Sequence, residues 1–371
     1  MNNADHQHSD GTSCWRSSLP RHQLKSISGW LQDEIVPKAN EIDSNPDALK
    51  TALQEMGDRS WLALKVSTKL GGSGLGELDY RLLQVELARA SGALTFLQTQ
   101  HQSAAQMLAK SQNQSLQKLV PDMATGKLLI GVGFSHLRRR GIPMIAATET
   151  ATGYQITGEV PWITGYNFFD RFILGAALPD GRELYGILPF KNQSQQRSSI
   201  IISQPMKLMA IAATNTVSAK ITQWHLDSEA VVVIKPSGSI HHSSRNNILH
   251  HGWYALGCAY AGLDILSFLA PKKQLDFIQE AWQSLNLEAE QKKAQAINLA
   301  SNNTPYESRL KLRAQLIDLA QRCSMAAVIA SSGAANYFGS NAARVYREAL
   351  LFSVSGQTTN LMEASLKKLI V

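Results

Sequence analysis

The chain has 371 residues, 44% hydrophobic and 18% charged, with a formal net charge of +7. That balance is globular rather than disordered, and the length allows two or three packed parts. Cys14, Cys258 and Cys323 are widely spaced, with no CxxC and no Cys/His cluster, which suggests neither a disulfide framework nor a zinc site and fits a reducing cytoplasm.

Residues 1–20 are polar, lack the apolar core of a secretory signal and read as a disordered tail. From 21 to 130 the pattern is helical. Leu83, Leu87, Ala90, Leu94 and Leu97 recur at spacings of four and three, one apolar stripe along a helix. "KLGGSGLGELD" interrupts this region. Its glycines match neither a dinucleotide fingerprint nor a P-loop, so it reads as a loop before a helix starting near Glu77. His101 and Gln98 lie one turn apart in "QTQHQSAAQ".

From 131 to 237 the period becomes two. "GYQITGEV", "RFILGAAL", "RELYGILPF", "SSIIIS" and "AVVVI" are short β-rich runs separated by Gly, Pro, Asp and Asn. They predict a middle antiparallel, barrel-like domain. The dense basic run, Arg138, Arg139 and Arg140, is either a solvated loop or an anion seat for phosphates. It lacks the aromatic interleaving of a nucleic-acid surface, so no nucleic-acid partner is expected. "GEVPWITG" places Trp162 and Thr164 two apart, on one face if both are in a strand. Either the pair offers a ring and a hydroxyl to a flat polar ligand, or it is a core tryptophan beside a surface threonine.

From 238 to 371 the helical period returns and predicts a four-helix bundle. "TPYE" reads as a capping box, with Thr304 as N-cap, Pro305 opening the helix and Glu307 closing the box. Behind it Leu312, Leu316, Leu319, Cys323 and Ala326 form a stripe. Ala255, Gly257, Ala259 and Gly262 are small enough to let helices approach closely. His250 and His251 read as helix-start residues. No apolar run reaches the roughly 18–20 residues of a membrane span, and no membrane partner is expected. The expected class is α+β, mainly α.

The helix–sheet–helix order and four segments together resemble the acyl-CoA dehydrogenase family of flavoproteins. The segments are "KLGGSGLG", "LVPDMATGKLLIGVGFS", "GYQITGEVPWITG" and "YREALLFSVSGQTTNL", and the likeness runs from about residue 25 to 371. It implies FAD, or FMN, with Trp162 packed near the isoalloxazine and Thr164 bonded near its reactive nitrogen. Phe134 and Ser135 would contact the pyrimidine end, and Thr358, Asn360 and Gly333 would contact the cofactor elsewhere. Gln98 and the three arginines would serve substrate or phosphate. It also implies a small-molecule or acyl-carrier substrate and a homodimer or homotetramer.

The departures are specific. Gly356 falls where the family carries its glutamate base, Asn247 falls near the alternative position, and Lys273 lies in the segment replacing a phosphate-binding Arg-x-x-Phe-Gly. Three readings follow: an acyl-CoA dehydrogenase-like oxidoreductase without the usual base, a flavin monooxygenase with His101 as acid/base, and a non-catalytic binding or assembly protein.

Overall fold

The computed structural model describes residues 21–370 apart from 196, 302 and 303; the expected tail at 1–20 lies outside them. Among the described residues, seven α-helices come first. They are α1 (Arg21–Trp30), α2 (Ala39–Ser44), α3 (Pro46–Asp58), α4 (Glu77–Ala90), α5 (Gly92–Ala109), α6 (Gln114–Gln117) and α7 (Val120–Ala124). The predicted single stripe is divided between α4 and α5. Ser91 is extended (φ −157°, ψ 117°), and its hydroxyl caps the next helix by accepting from the Leu94 N–H at 3.2 Å. All five stripe residues remain buried, because the bend keeps both apolar faces on one core.

Nine strands follow: β1 (Ile130–Gly133), β2 (Ile145–Glu149), β3 (Gly153–Ile163), β4 (Arg171–Ala177), β5 (Glu183–Pro189), β6 (Gln193–Gln195), β7 (Ser198–Ile202), β8 (Val217–Asp227) and β9 (Val231–Lys235). They form one sheet in the order β6-β7-β8-β3-β2-β4-β5-β9, with β1 joined to β4. Most pairs are antiparallel as expected, but β1 and β2 both run parallel to β4. β3 turns back on β2, so β4 resumes the original direction.

Six helices close the chain: α8 (Ser239–Asn246), α9 (His250–Lys273), α10 (Asp276–Ser301), α11 (Tyr306–Ser331), α12 (Asn341–Val354) and α13 (Thr359–Leu369). α9 is the axis, packed against α10, α11 and α12 and also against α4. Two glycines make this possible. A Cβ on Gly257 would lie 2.3 Å from the Val85 carbonyl oxygen on α4, and one on Gly262 would lie 2.7 Å from that of Cys323 on α11. The predicted capping box does not form. Pro305 occupies the N-cap position of α11 without a side-chain cap, and the Thr304 hydroxyl donates instead to the Leu299 carbonyl, 3.1 Å away, in the turn from α10.

α9 also meets the length and composition of a membrane span, which no reading of apolar runs in the sequence had suggested; 72% of its apolar window is buried inside the protein. Cys258 and Cys323 are free, buried thiols.

Candidate active site

A cavity of about 950 Å³ opens where α4, α5, α8, α9, the α10–α11 turn, β5 and β9 converge. Its polar centre begins on α4. Arg81 lies on the buried stripe with Val85 and Ala88, and its side chain is only 6% exposed. Nε donates to Glu77 at 2.6 Å, and Nη2 lies 2.7 Å from the His250 ring nitrogens. Arginine has no acceptor, so the imidazole must accept and is neutral there. Lys65 pairs with the same Glu77 carboxylate. Burial pushes the Glu77 carboxyl up, but Arg81 and Lys65 outweigh it and hold the group below its ordinary value. Burial lowers Lys65.

The second centre is where α9 begins. Arg313, on the buried face of α11, donates to the Ile248 carbonyl at 2.8 Å and to the Ser355 carbonyl at 2.6 Å. One guanidinium thereby ties the start of α9 to the loop after α12. His251 lines the cavity, rests edge-on against Tyr254 with centroids 5.3 Å apart, and places Nδ1 3.1 Å from the Ser355 hydroxyl. Beside it, Gly356 has φ +61°, and a Cβ built there would lie 3.0 Å from His251 Nε2. The imidazole therefore fills the space into which a side chain at 356 would project. Burial first, then Arg81 for His250 and Arg313 for His251, hold both imidazoles well below their ordinary value.

The residues singled out from sequence are distributed unevenly around this centre. Phe134 lines the cavity, its ring edge-on to Tyr185 at 5.4 Å. Ser135 is exposed at the start of a short turn. Trp162 and Thr164 reverse the bland alternative: the tryptophan is 48% exposed and the threonine 7%. Thr164 shares a 3.0 Å hydroxyl hydrogen bond with Thr216. Gln98 is fully buried, donating to Gln84 Oε1 at 2.7 Å, and does not line the cavity.

His101 is enclosed as well. The Ile130 N–H donates to its Nδ1 at 3.0 Å, so Nε2 carries the proton and donates to the Met123 carbonyl at 3.0 Å. Burial lowers the imidazole to about 4. Both nitrogens are consumed, and its position does not suit an acid/base role in the cavity. The arginine run divides. Arg138 turns inward and donates to the Ser244 hydroxyl at 3.0 Å, whereas Arg139 and Arg140 are exposed. Thr358 caps α13 by accepting from Leu361 N–H at 3.3 Å, and Asn360 and Gly333 are exposed. Asn247 lies at the cavity rim, bonded to Ser243, and Lys273 bonds Ser332 at 3.1 Å.

Sequence reasoning missed the cavity's principal polar groups, Glu77, Arg81, His250 and His251, and the Arg313 that fastens the loop behind them. For the arginines a signal exists. Arg81 shares the helical face of Val85 and Ala88, and Arg313 that of Ile317, and a charge on a buried stripe needs a buried partner.

Comparison with known proteins sets this geometry in context. Residues 21–127 match the family described as acyl-CoA dehydrogenase, N-terminal domain. The mitochondrial isovaleryl-CoA dehydrogenase of Pongo abelii is 26% identical over 156 residues, 40% of this chain and 37% of that protein. Over residues 21–127 the chain is similar to the acyl-CoA dehydrogenases. The matched part spans little more than a third of that curated relative's length. Two solved structures share the fold across nearly the whole chain. The glutaryl-coenzyme A dehydrogenase–glutaryl-CoA complex has a TM-score of 0.77 at 18% identity, covering 95% of this chain and 96% of that one. Glutaryl-CoA dehydrogenase from Mycobacterium smegmatis has 0.78 at 15%, covering 95% of each. The fold is thus shared, while the cavity carries a histidine pair, one of which, His251, faces Gly356.

Proposed function

We propose that the protein is a flavin-dependent oxidoreductase acting on an acyl thioester or similar substrate held in the 950 Å³ cavity, without the family's carboxylate base. The observation that carries this reading is the wall of the cavity. Gly356 lies behind the cavity-lining His251, and among the described residues no carboxylate other than Glu77 lines the cavity. Glu77 is committed to Arg81 and Lys65. FAD fits the surroundings in two respects. Trp162 leaves a large aromatic face 48% exposed, and His136 Nδ1 and Gln357 Oε1, next to Ser135 and Thr358 in the chain, are buried without a hydrogen-bond partner. Trp162, Thr164, Phe134 and Ser135 would hold the ring system, with Thr358, Asn360 and Gly333 serving the rest. The bound flavin would supply hydride acceptance.

The chain's own residues would do the remainder. Arg313 fixes the Ser355–Gly356 loop against α9. The His250 imidazole, whose acceptor takes the Arg81 hydrogen bond, keeps only an N–H to offer substrate or water, and His251 stands beside it on the cavity wall. Tyr254 and Trp253 exclude water from one side. A positioned carboxylate base is worth roughly 10²–10⁴ in rate, so plain saturated acyl-CoAs should reduce the flavin slowly.

The test is direct. The purified protein should show flavin absorbance, and anaerobic addition of a saturated acyl-CoA should bleach it slowly. A colourless protein that takes up neither FAD nor FMN would overturn the reading and leave a binding or assembly role. Rapid bleaching would overturn the missing base.

A further inference from the structure

The charge inside the cavity is one-sided. Lys65, Arg81, Lys110, Lys235 and Arg309 line it, against the single carboxylate, among the described residues, of Glu77. Glu77 is shared between Lys65 and Arg81. Lys110 and Lys235 form no ion pair among the described residues; Lys235 lies over the Tyr185 ring, 4.8 Å from its centroid. Arg309 is held by one bond, Nη1 to the Asn246 carbonyl at 2.6 Å, and its Nε is buried with no partner. A buried guanidinium N–H without an acceptor costs free energy until something supplies one. The same cavity offers carbon surface from Met107, Phe134, Leu249, Trp253 and Tyr254.

We infer that this cavity binds an organic anion, a molecule with a short carbon chain ending in a carboxylate, which accepts from Arg309 and sits in the field of Lys110 and Lys235. An uncharged aliphatic chain would leave these cations desolvated and unpaired, whereas a carboxylate takes up their donors. His250 and His251 support the assignment. Crowding by Arg81, Lys65, Arg313 and Arg138 adds to burial in keeping them neutral, as expected of an electropositive enclosure. The inference deepens the proposed function by naming the charge on the substrate, and it rests on that reading only in taking this cavity for the substrate's.

The experiment needs no flavin, so its failure is separate from that of the oxidoreductase reading. The full chain is titrated calorimetrically with glutarate, with its neutral diamide and with inorganic phosphate. Glutarate should bind saturably, at least about tenfold more tightly than the diamide, one step of about 1.4 kcal/mol. The Lys110→Gln/Lys235→Gln variant alters two side chains outside the buried core and should keep its melting temperature while losing several-fold in glutarate affinity. Arg309→Gln, which retains a donor, should lose affinity as well. Binding should also move the His250 and His251 imidazole resonances toward the protonated form, a readout that survives if either variant misfolds. Equal binding of diamide and glutarate, absence of saturable binding by any probe, or phosphate binding tenfold tighter than glutarate would each overturn the inference.

Discussion

Replacing Gly356 by glutamate puts a carboxylate where the sequence lacks one, but the structure makes this a test of packing first. The residue has φ +61°, which costs an L side chain about 1–2 kcal/mol. Its new Cβ would lie 3.0 Å from His251 Nε2 and 3.1 Å from Cδ2, tighter than ordinary contact. The ring cannot retreat freely, because it is edge-on to Tyr254 and bonded to the Ser355 hydroxyl. Overpacking of this kind adds about 1–3 kcal/mol. Gly356→Glu alone should therefore cost about 2–5 kcal/mol, summing the two contributions. In a His251→Gly background the clash is gone and the cost should fall to the backbone share. A double-mutant cycle by denaturant unfolding reads the difference as a coupling of about 1–3 kcal/mol. The doubly substituted protein should also bleach faster with acyl-CoA than wild type, because the carboxylate then has room. If the two substitutions prove additive to within about 0.5 kcal/mol, the residue-356 side chain does not project into the imidazole, and the account of this wall is wrong.

Trp162→Ala should lower flavin content or shift flavin absorbance while leaving the melting temperature close to wild type, since the ring is 48% exposed; an unchanged flavin spectrum refutes the ring-binding role. Neutralising the exposed pair Arg139 and Arg140 should weaken a phosphate-bearing ligand more at low salt than at high salt, and equal loss at both would assign them no electrostatic role. His101 is neutral in the fold with its imidazole lowered to about 4 from 6.5, so the unfolded chain binds the extra proton between those values and stability falls as pH drops through that window. The loss reaches about 3 kcal/mol for this group at full effect, and His101→Gln should flatten the pH dependence of unfolding below pH 6.5. Glu348 is fully buried, accepting from Arg344 at 2.9 Å and from the Gly92 N–H at 3.0 Å. Glu348→Ala leaves that guanidinium enclosed without its counter-charge and should cost about 3–5 kcal/mol in chemical unfolding; a cost under about 1 kcal/mol would refute the buried pair.

The helix–sheet–helix order was legible because the hydrophobic period changes twice, and every strand-like run in the middle region became a strand. What escaped was governed by local chemistry that period counting does not see. The division of α4 from α5 depends on one serine that caps rather than continues a helix. β8 is the clearest omission. Val217, Ala219 and Ile221 alternate inward, but Gln223 takes φ +43° and shifts the later residues, so the period of two is lost halfway. The Thr304 box failed because Pro305 is extended (φ −55°, ψ 146°) rather than helical, so α11 starts one residue later, at Tyr306.

The site was less legible for a different reason: its polar groups are assembled across long sequence separations by helices that had already been read as core. Arg81 and His250 are 169 residues apart, His251 and Ser355 are 104 apart, and Arg313 reaches backwards 65 residues to Ile248. In sequence each belongs to an unremarkable helical face. Together they answer why residue 356 is a glycine. The loop at 355–356 needs a left-handed residue, and the space in front of it is taken by an imidazole that Tyr254 and Ser355 hold in place. Any side chain at 356 must displace His251, and His251 cannot move far without giving up its bond to the loop that Arg313 fastens. The glycine at 356 and the histidine at 251 are thus one packing arrangement, so placing a carboxylate at 356 is expected to require removing the histidine.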